Sequence, residues 1–147
     1  MASTWPNPAG AYRNAAWSSA GSTGQQIVFD TVDTSYPYTS LSSGTITINR
    51  AGRVSVAAQG VISGFSMTIT LKVNGATVAT GSNGTTSTLS YSYYANNGDQ
   101  LQIWETDTVA STSGSTGAST TYIHVTPGGT RTQPYNAMVA VNQATLY

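Results

Sequence analysis

The chain has 147 residues, 5 Lys+Arg against 5 Asp+Glu, one His, no Cys and 15 Gly, and 43 of its residues are Ser or Thr. With so few charges and no net charge it lacks the basic footprint that binds nucleic acid or anionic membranes, and without cysteine it has no disulfide scaffold, thiolate zinc site or cysteine nucleophile. Its 39% hydrophobic content and its length suit one folded domain able to bury roughly 70% of its unfolded surface.

Residues 1–24 keep no period for long and carry Pro6, Pro8, Gly10, Gly21 and Gly24, yet they include Trp5, Tyr12 and Trp17. This reads as an extended N-terminal arm (1–24) ahead of a β-domain (25–147), its aromatics either docking on a partner or covering one end of the domain itself. Its opening residues lack the basic start and apolar stretch of a signal peptide, so export by a secretion signal of its own is not expected.

From Gln26 the period becomes 2. Ile27 and Phe29, Ile46 and Ile48, and Val54, Val56 and Ala58 mark apolar faces, and Ser66–Val73 alternates throughout. That strand runs into Asn74-Gly75, the strongest short hairpin signal, and returns through Ala76–Thr80. Strands are also expected at 88–94, 101–106, 120–125 and 137–146, with turns at 96–99, 111–117 and 127–129, and no segment offers a sustained helical face. Eight or nine short antiparallel strands predict an all-β jelly-roll sandwich or barrel. A polar face of Ser and Thr with a single lysine, Lys72, suits a surface that lies inside a symmetric assembly.

Catalytic chemistry is poorly provided for. His124 is the sole imidazole, no Gly-x-Ser-x-Gly elbow occurs, and a lone strand histidine reads as a packed or interface residue. Glu105 and Asp107 share a strand face, as a glycosidase pair or a cation site would, but a solvated strand end accounts for them equally, with Trp104 on the opposite face turned to the core. No catalytic residue, metal or cofactor is therefore expected. Tyr91, Tyr93 and Tyr122 are expected to share one face as an interface between copies of the chain, a sugar-stacking platform being the alternative.

The stretch Gly44–Val56 (Gly, an alternating strand, a Gly turn, a second alternating strand) is followed by Leu71-Lys-Val-Asn-Gly75, by Leu89–Tyr94 with Asn97-Gly98-Asp99-Gln-Leu-Gln-Ile103, and by Tyr122–Val125. In this order the motifs, spanning about residues 26–126, resemble the complement globular-head and tumour necrosis factor jelly rolls. The arm, the missing stalk and segment 127–147 depart from that pattern. The resemblance implies a homotrimer used for binding, with its first and last strands near the threefold axis, and domains of this kind recur as bacteriophage tail-fibre knobs and head decoration proteins. The expectation is a non-enzymatic virion protein made in the host cytoplasm, whose partners are itself and a major capsid or other virion protein. It would be a trimeric capsid decoration protein gripping the lattice through Trp5, Pro6, Tyr12, Arg13 and Trp17. The alternatives are a receptor- or carbohydrate-binding knob of a tail appendage and, from another class, a glycan-binding module or small hydrolase.

Overall fold

The computed structural model describes residues 9–34 and 38–127. Trp5, Pro6 and the strand expected at 137–146 lie outside the described residues. Eleven strands are present among those described: β1 (Ala9–Tyr12), β2 (Gln25–Gln26), β3 (Thr31–Thr34), β4 (Thr39–Ser42), β5 (Thr45–Ile48), β6 (Gly52–Val61), β7 (Met67–Val73), β8 (Ala76–Gly84), β9 (Thr86–Ala95), β10 (Gln100–Asp107) and β11 (Tyr122–Pro127). A single 3-10 turn, Gly21–Thr23, interrupts them.

The strands form two antiparallel sheets, one in the order β3-β1-β11-β6-β9 and the other in the order β4-β5-β10-β7-β8, with β2 paired to β10. The jelly-roll sandwich expected from the alternation is therefore present, with more strands than the eight or nine that the sequence displays. The additional strands β1, β2, β3 and β4 have two to four residues each, and none carries two alternating large apolar residues like the Ile46 and Ile48 that reveal β5 at four residues.

Alternation decides which side chains enter the core. Val54, Val56 and Ala58 of β6, Met67, Ile69 and Leu71 of β7, Leu101 and Ile103 of β10, and Ile123 and Val125 of β11 are all buried between the sheets. Each fully buried aliphatic side chain contributes about 1.5–3 kcal/mol, which makes the two sheets one cooperative unit. The β7–β8 hairpin turns through Asn74 (φ 52°) and Gly75 (φ 87°), the pair of positive φ values that the Asn-Gly signal requires. Where the β7–β8 register shifts between Thr68 and Thr70, the Ile69 N–H is taken up across the sandwich by the buried Ser87 hydroxyl at 3.0 Å. A buried serine thus repairs the ladder at an irregularity.

The boundary expected at residue 25 does not coincide with a break in the structure. β1 lies inside the five-stranded sheet, hydrogen-bonded to β11 on one side and β3 on the other, and Ala11 is 2% exposed. From residue 9 the expected arm is part of the sandwich. The prolines and glycines around it conceal this, because a four-residue strand presents only one or two inward positions.

Candidate functional site

The outer face of the five-stranded sheet is assembled by register. Tyr12 lies opposite Tyr122, which lies opposite Gln59, which lies opposite Thr88. The next row is Gly10, His124, Ala57 and Ser90, and the one after it is Thr126, Ser55 and Ser92. Paired residues point to the same side, and since the alternating Ile123, Val125, Val56 and Ala58 are buried, these rows face outward. The centre of the face is small and hydroxylated, with Ser55 and Ser92 bonded Oγ to Oγ at 2.8 Å. Aromatic rings occupy its margins, among them Tyr94, 62% exposed and opposite Arg53.

His124 sits at the middle of this face. Its ring stacks on Tyr122 with centroids 4.8 Å apart and planes inclined by 30°, and its Nε2 lies 3.8 Å from Asp33 Oδ2. A Cβ on Gly10 would fall 2.9 Å from His124 Cδ2, so the imidazole occupies the space that a side chain at position 10 would need. This geometry agrees with the packed or interface histidine read from the sequence.

The tyrosine expectation needs correcting. Tyr91 and Tyr93 share a face, but they pair with the buried Val56 and Val54, and Tyr122 pairs with Gln59 on the other side of the sheet. Tyr91 and Tyr93 therefore turn toward the sandwich interior, where their rings lie 5.5 Å apart, while Tyr122 faces out. The parity of one strand cannot be related to that of another without the register, and this is where the sequence reading failed.

Tyr93 has a different task. Its hydroxyl donates to Asp99 Oδ2 at 3.0 Å, and Asp99 also accepts from the Asn74 side chain at 2.9 Å and from the Asn96 N–H at 3.0 Å. Burial alone would raise the Asp99 carboxyl, but these three donors outweigh it and hold the group below its ordinary range. Burial, the bond to Asp99 and the Asp99 charge push the Tyr93 phenol well above its usual value. Asp99 thereby ties the turn before β10 to β9 and to the β7–β8 hairpin.

The arm residues that the structure describes are engaged within the chain. The Arg13 guanidinium donates to the carbonyls of Val28 at 2.8 Å, Ala15 at 2.9 Å and Ala16 at 3.1 Å. Asp30, 3.8 Å from Arg13, accepts the N–H groups of Asn14 and Ala15 at 2.8 and 3.0 Å. Trp17 donates its indole N–H to the Ser115 carbonyl at 2.9 Å, with its ring against Gly114. Tyr12 stands on the outer face beside Tyr122. Arg13 and Trp17 thus fasten the 13–17 loop to the sandwich.

Glu105 and Asp107 do share a face, but it is the buried one, where they are 1% and 5% exposed; the expected solvated strand end is not what the structure holds. Trp104 takes the outer face instead of the core, with Lys72 Nζ 4.1 Å from its ring centroid and its N–H donated to Gln102 at 3.0 Å. Sequence parity put the carboxylates and the tryptophan on opposite faces, but the swap of inside and outside gave no sequence signal.

No protein-family model matches the sequence, and no curated protein sequence matches it. Solved structures do match. Murine APRIL is 12% identical with a TM-score of 0.66, over 82% of this chain and 97% of that one. The globular domain of the zebrafish complement 1qA protein is 9% identical with a TM-score of 0.63, over 84% and 98%. The Eiger TNF of S. frugiperda is 12% identical with a TM-score of 0.61, over 90% and 100%. The fold is therefore the jelly roll of tumour necrosis factor and complement globular-head proteins, as the order of the glycine-turn motifs implied.

Proposed function

We propose that the chain is a non-catalytic jelly-roll module that associates into a homotrimer through the outer face of its five-stranded sheet. The observation that carries this reading is the make-up of that face. Ala57, Ser55, Ser90 and Ser92 form a small-residue centre flanked by Tyr12, Tyr122 and Tyr94, and among the described residues in these rows the charged ones are Arg53 and, beside His124, Asp33. Small side chains let two backbones approach closely, and tyrosine is enriched at interfaces because its body is apolar and its tip polar. β1 and β11, the first and last strands among the described residues, pair at the centre of this sheet, which would put them at a threefold axis running along this face. Light scattering should report three times 15.2 kDa in low and high salt alike, since apolar burial is not screened as ion pairs are. Ala57→Arg, placed at the centre of the face, should give a monomer that retains its fold. A monomeric parent chain, or an Ala57→Arg variant still trimeric, would refute the proposal.

On this reading the trimer serves as a virion structural protein, a capsid decoration protein. The support is a neutral, cysteine-free, β-rich chain with a tumour necrosis factor-like jelly roll, a kind of domain that recurs in phage head decoration proteins and tail-fibre knobs. Because Arg13 and Trp17 are engaged within the sandwich and Tyr12 stands on the proposed trimer face, attachment falls to the segment carrying Trp5 and Pro6. Removal of residues 1–8 is the right test, since removal of 1–24 would also take β1 out of its sheet. The shortened chain should remain folded and trimeric but fail to bind capsids. Capsid binding by the shortened chain, or binding only at the tail, would overturn this assignment.

A further inference from the structure

The chain has five acidic residues, and two of them, Glu105 and Asp107, are buried side by side on the inward face of β10. One oxygen of each is satisfied. Glu105 Oε2 accepts the Ala20 N–H at 2.9 Å, and Asp107 Oδ1 accepts the Thr108 hydroxyl at 3.3 Å and the Val109 N–H at 3.4 Å. The other two, Glu105 Oε1 and Asp107 Oδ2, are buried and have no hydrogen-bond partner. Native proteins seldom leave buried carboxylate oxygens in that condition, because the desolvation penalty goes uncompensated. The segments around them, residues 19–25, 66–68 and 105–112, contain no Lys or Arg. Among the described residues, neither carboxylate is ion-paired with a cationic side chain.

We propose that this end of β10 binds a hard divalent cation of the calcium class, with Glu105 Oε1 and Asp107 Oδ2 as its charged ligands. Residues two apart on a strand have Cα atoms about 6.6 Å apart, a span that two carboxylates cover when each places an oxygen about 2.3–2.6 Å from one ion. An open cleft of about 310 Å³ touches Asp107 and is lined beside it by Ser22, Ser66 and Thr108, whereas its Thr68, Asn83 and Thr106 walls belong to the outer face of the sheet; it gives an approach from solvent at the Asp107 end, and Glu105 is not part of its lining. Among the described residues no three His, Cys, Asp or Glu side chains cluster, so the remaining ligands are neutral oxygens and water. Such a set suits the large, irregular shell of calcium better than the strict octahedron of magnesium or the nitrogen and sulfur preference of zinc. The rival neutraliser is a proton held between the two carboxyls, which the burial of Glu105 favours and the Ala20 N–H on its satisfied oxygen opposes; the titrations below separate it from a cation.

The test uses the full chain, stripped with chelator and dialysed. Titration with calcium chloride followed by calorimetry should show binding, and the thermal midpoint should rise by about 5 °C or more when calcium is in hundredfold excess over its dissociation constant. Magnesium at equal ionic strength should give a clearly smaller shift. Glu105→Gln and Asp107→Asn, which keep the shape of the side chains, should each weaken calcium at least tenfold. The proposal is overturned if the parent chain shows neither heat nor a shift, if magnesium matches calcium, or if both variants respond as the parent does. It is equally overturned if the midpoint responds only to acid and Glu105→Gln removes that response, the outcome expected of a shared proton. The measurements on the parent chain decide the matter even if a variant fails to fold.

Discussion

Immediately before β10, Asp99 is 6% exposed and meets three donors from three elements; at the far end of the same strand, Glu105 and Asp107 are as deeply buried and retain an unpartnered oxygen each. Burial is the same and satisfaction is opposite. The first carboxylate is a structural tie whose charge is stabilised by its surroundings, whereas the pair opposes folding unless something from solution joins it. The protonation behaviour differs accordingly. Asp99 is held below the ordinary carboxylate range, while Glu105 is pushed above it, chiefly by burial and also by the Asp107 charge, against the opposing Ala20 N–H bond and the nearby Gln25 amide.

The largest effect expected from breaking this contrast is at Asp99. Asp99→Ala removes the acceptor from Tyr93, Asn74 and the Asn96 N–H at once, and should cost about 3 kcal/mol, measured by denaturant unfolding, because three partly buried hydrogen bonds to one charged acceptor are lost together. Acid adds a signed check. A group whose folded pKa is depressed contributes stability above its ordinary pKa and loses it as the pH falls through the folded value. The parent chain should therefore lose stability on acidification more steeply than Asp99→Asn. Equal slopes would mean that the three donors do not favour the charged form.

Tyr93→Phe is next in size. It deletes one bond, of 3.0 Å to a charged acceptor, and leaves Asp99 two donors, so about 1–2 kcal/mol should be lost with no change in oligomeric state. That second readout separates the tie from the interface role first read for Tyr93. If the trimer dissociates while the monomer unfolds as before, Tyr93 belongs to the association surface after all.

What could be read from the sequence follows the same line. Strict alternation in Met67–Val73 and the Asn74-Gly75 turn placed β7 and β8 correctly, since both signals are local. The pairing of Glu105 with Asp107, and of Tyr91 with Tyr93, was also legible because it needs only the parity of one strand. Which face is inward was not. In β10 the outward position goes to Trp104 and the buried ones to two carboxylates, a reversal of ordinary hydropathy that only the opposing sheet dictates. Tyr122 was misassigned for a related reason, because its relation to β9 passes through the register of β6. The outer face, with His124 seated over Gly10, likewise depends on β1, whose four residues present no period.

At the far end of β10 the sign should invert. With divalent cations chelated, Glu105→Gln should stabilise the chain at neutral pH, by about 1 kcal/mol, since an amide carries no charge to desolvate. Glu105 has a raised folded pKa, so its contribution is present below the ordinary value and is lost as the pH rises through the folded one. The gain from Glu105→Gln should thus grow from acid toward neutral pH, opposite in direction to the Asp99 variants, and a Gln variant less stable than the chelated parent at neutral pH would remove the contrast.

The smallest expected effect sharpens the contrast most. The Thr108 hydroxyl reaches Asp107 Oδ1 at 3.3 Å, and the same oxygen takes the Val109 N–H at 3.4 Å, both near the outer limit of hydrogen bonding. Asn74 donates to Asp99 at 2.9 Å, and its own Oδ1 accepts the Gln100 N–H at 3.0 Å. Both donors are polar side chains serving a buried carboxylate at one end of β10, so deleting each compares the two ends directly. Thr108→Ala should change unfolding stability by no more than about 0.5 kcal/mol, whereas Asn74→Ala should cost about 2 kcal/mol through two short bonds and the loss of a residue suited to positive φ. Equal costs would mean that Asp107 leans on Thr108 as Asp99 leans on Asn74, and the far end of β10 would then be a satisfied tie rather than a pair awaiting a counter-ion.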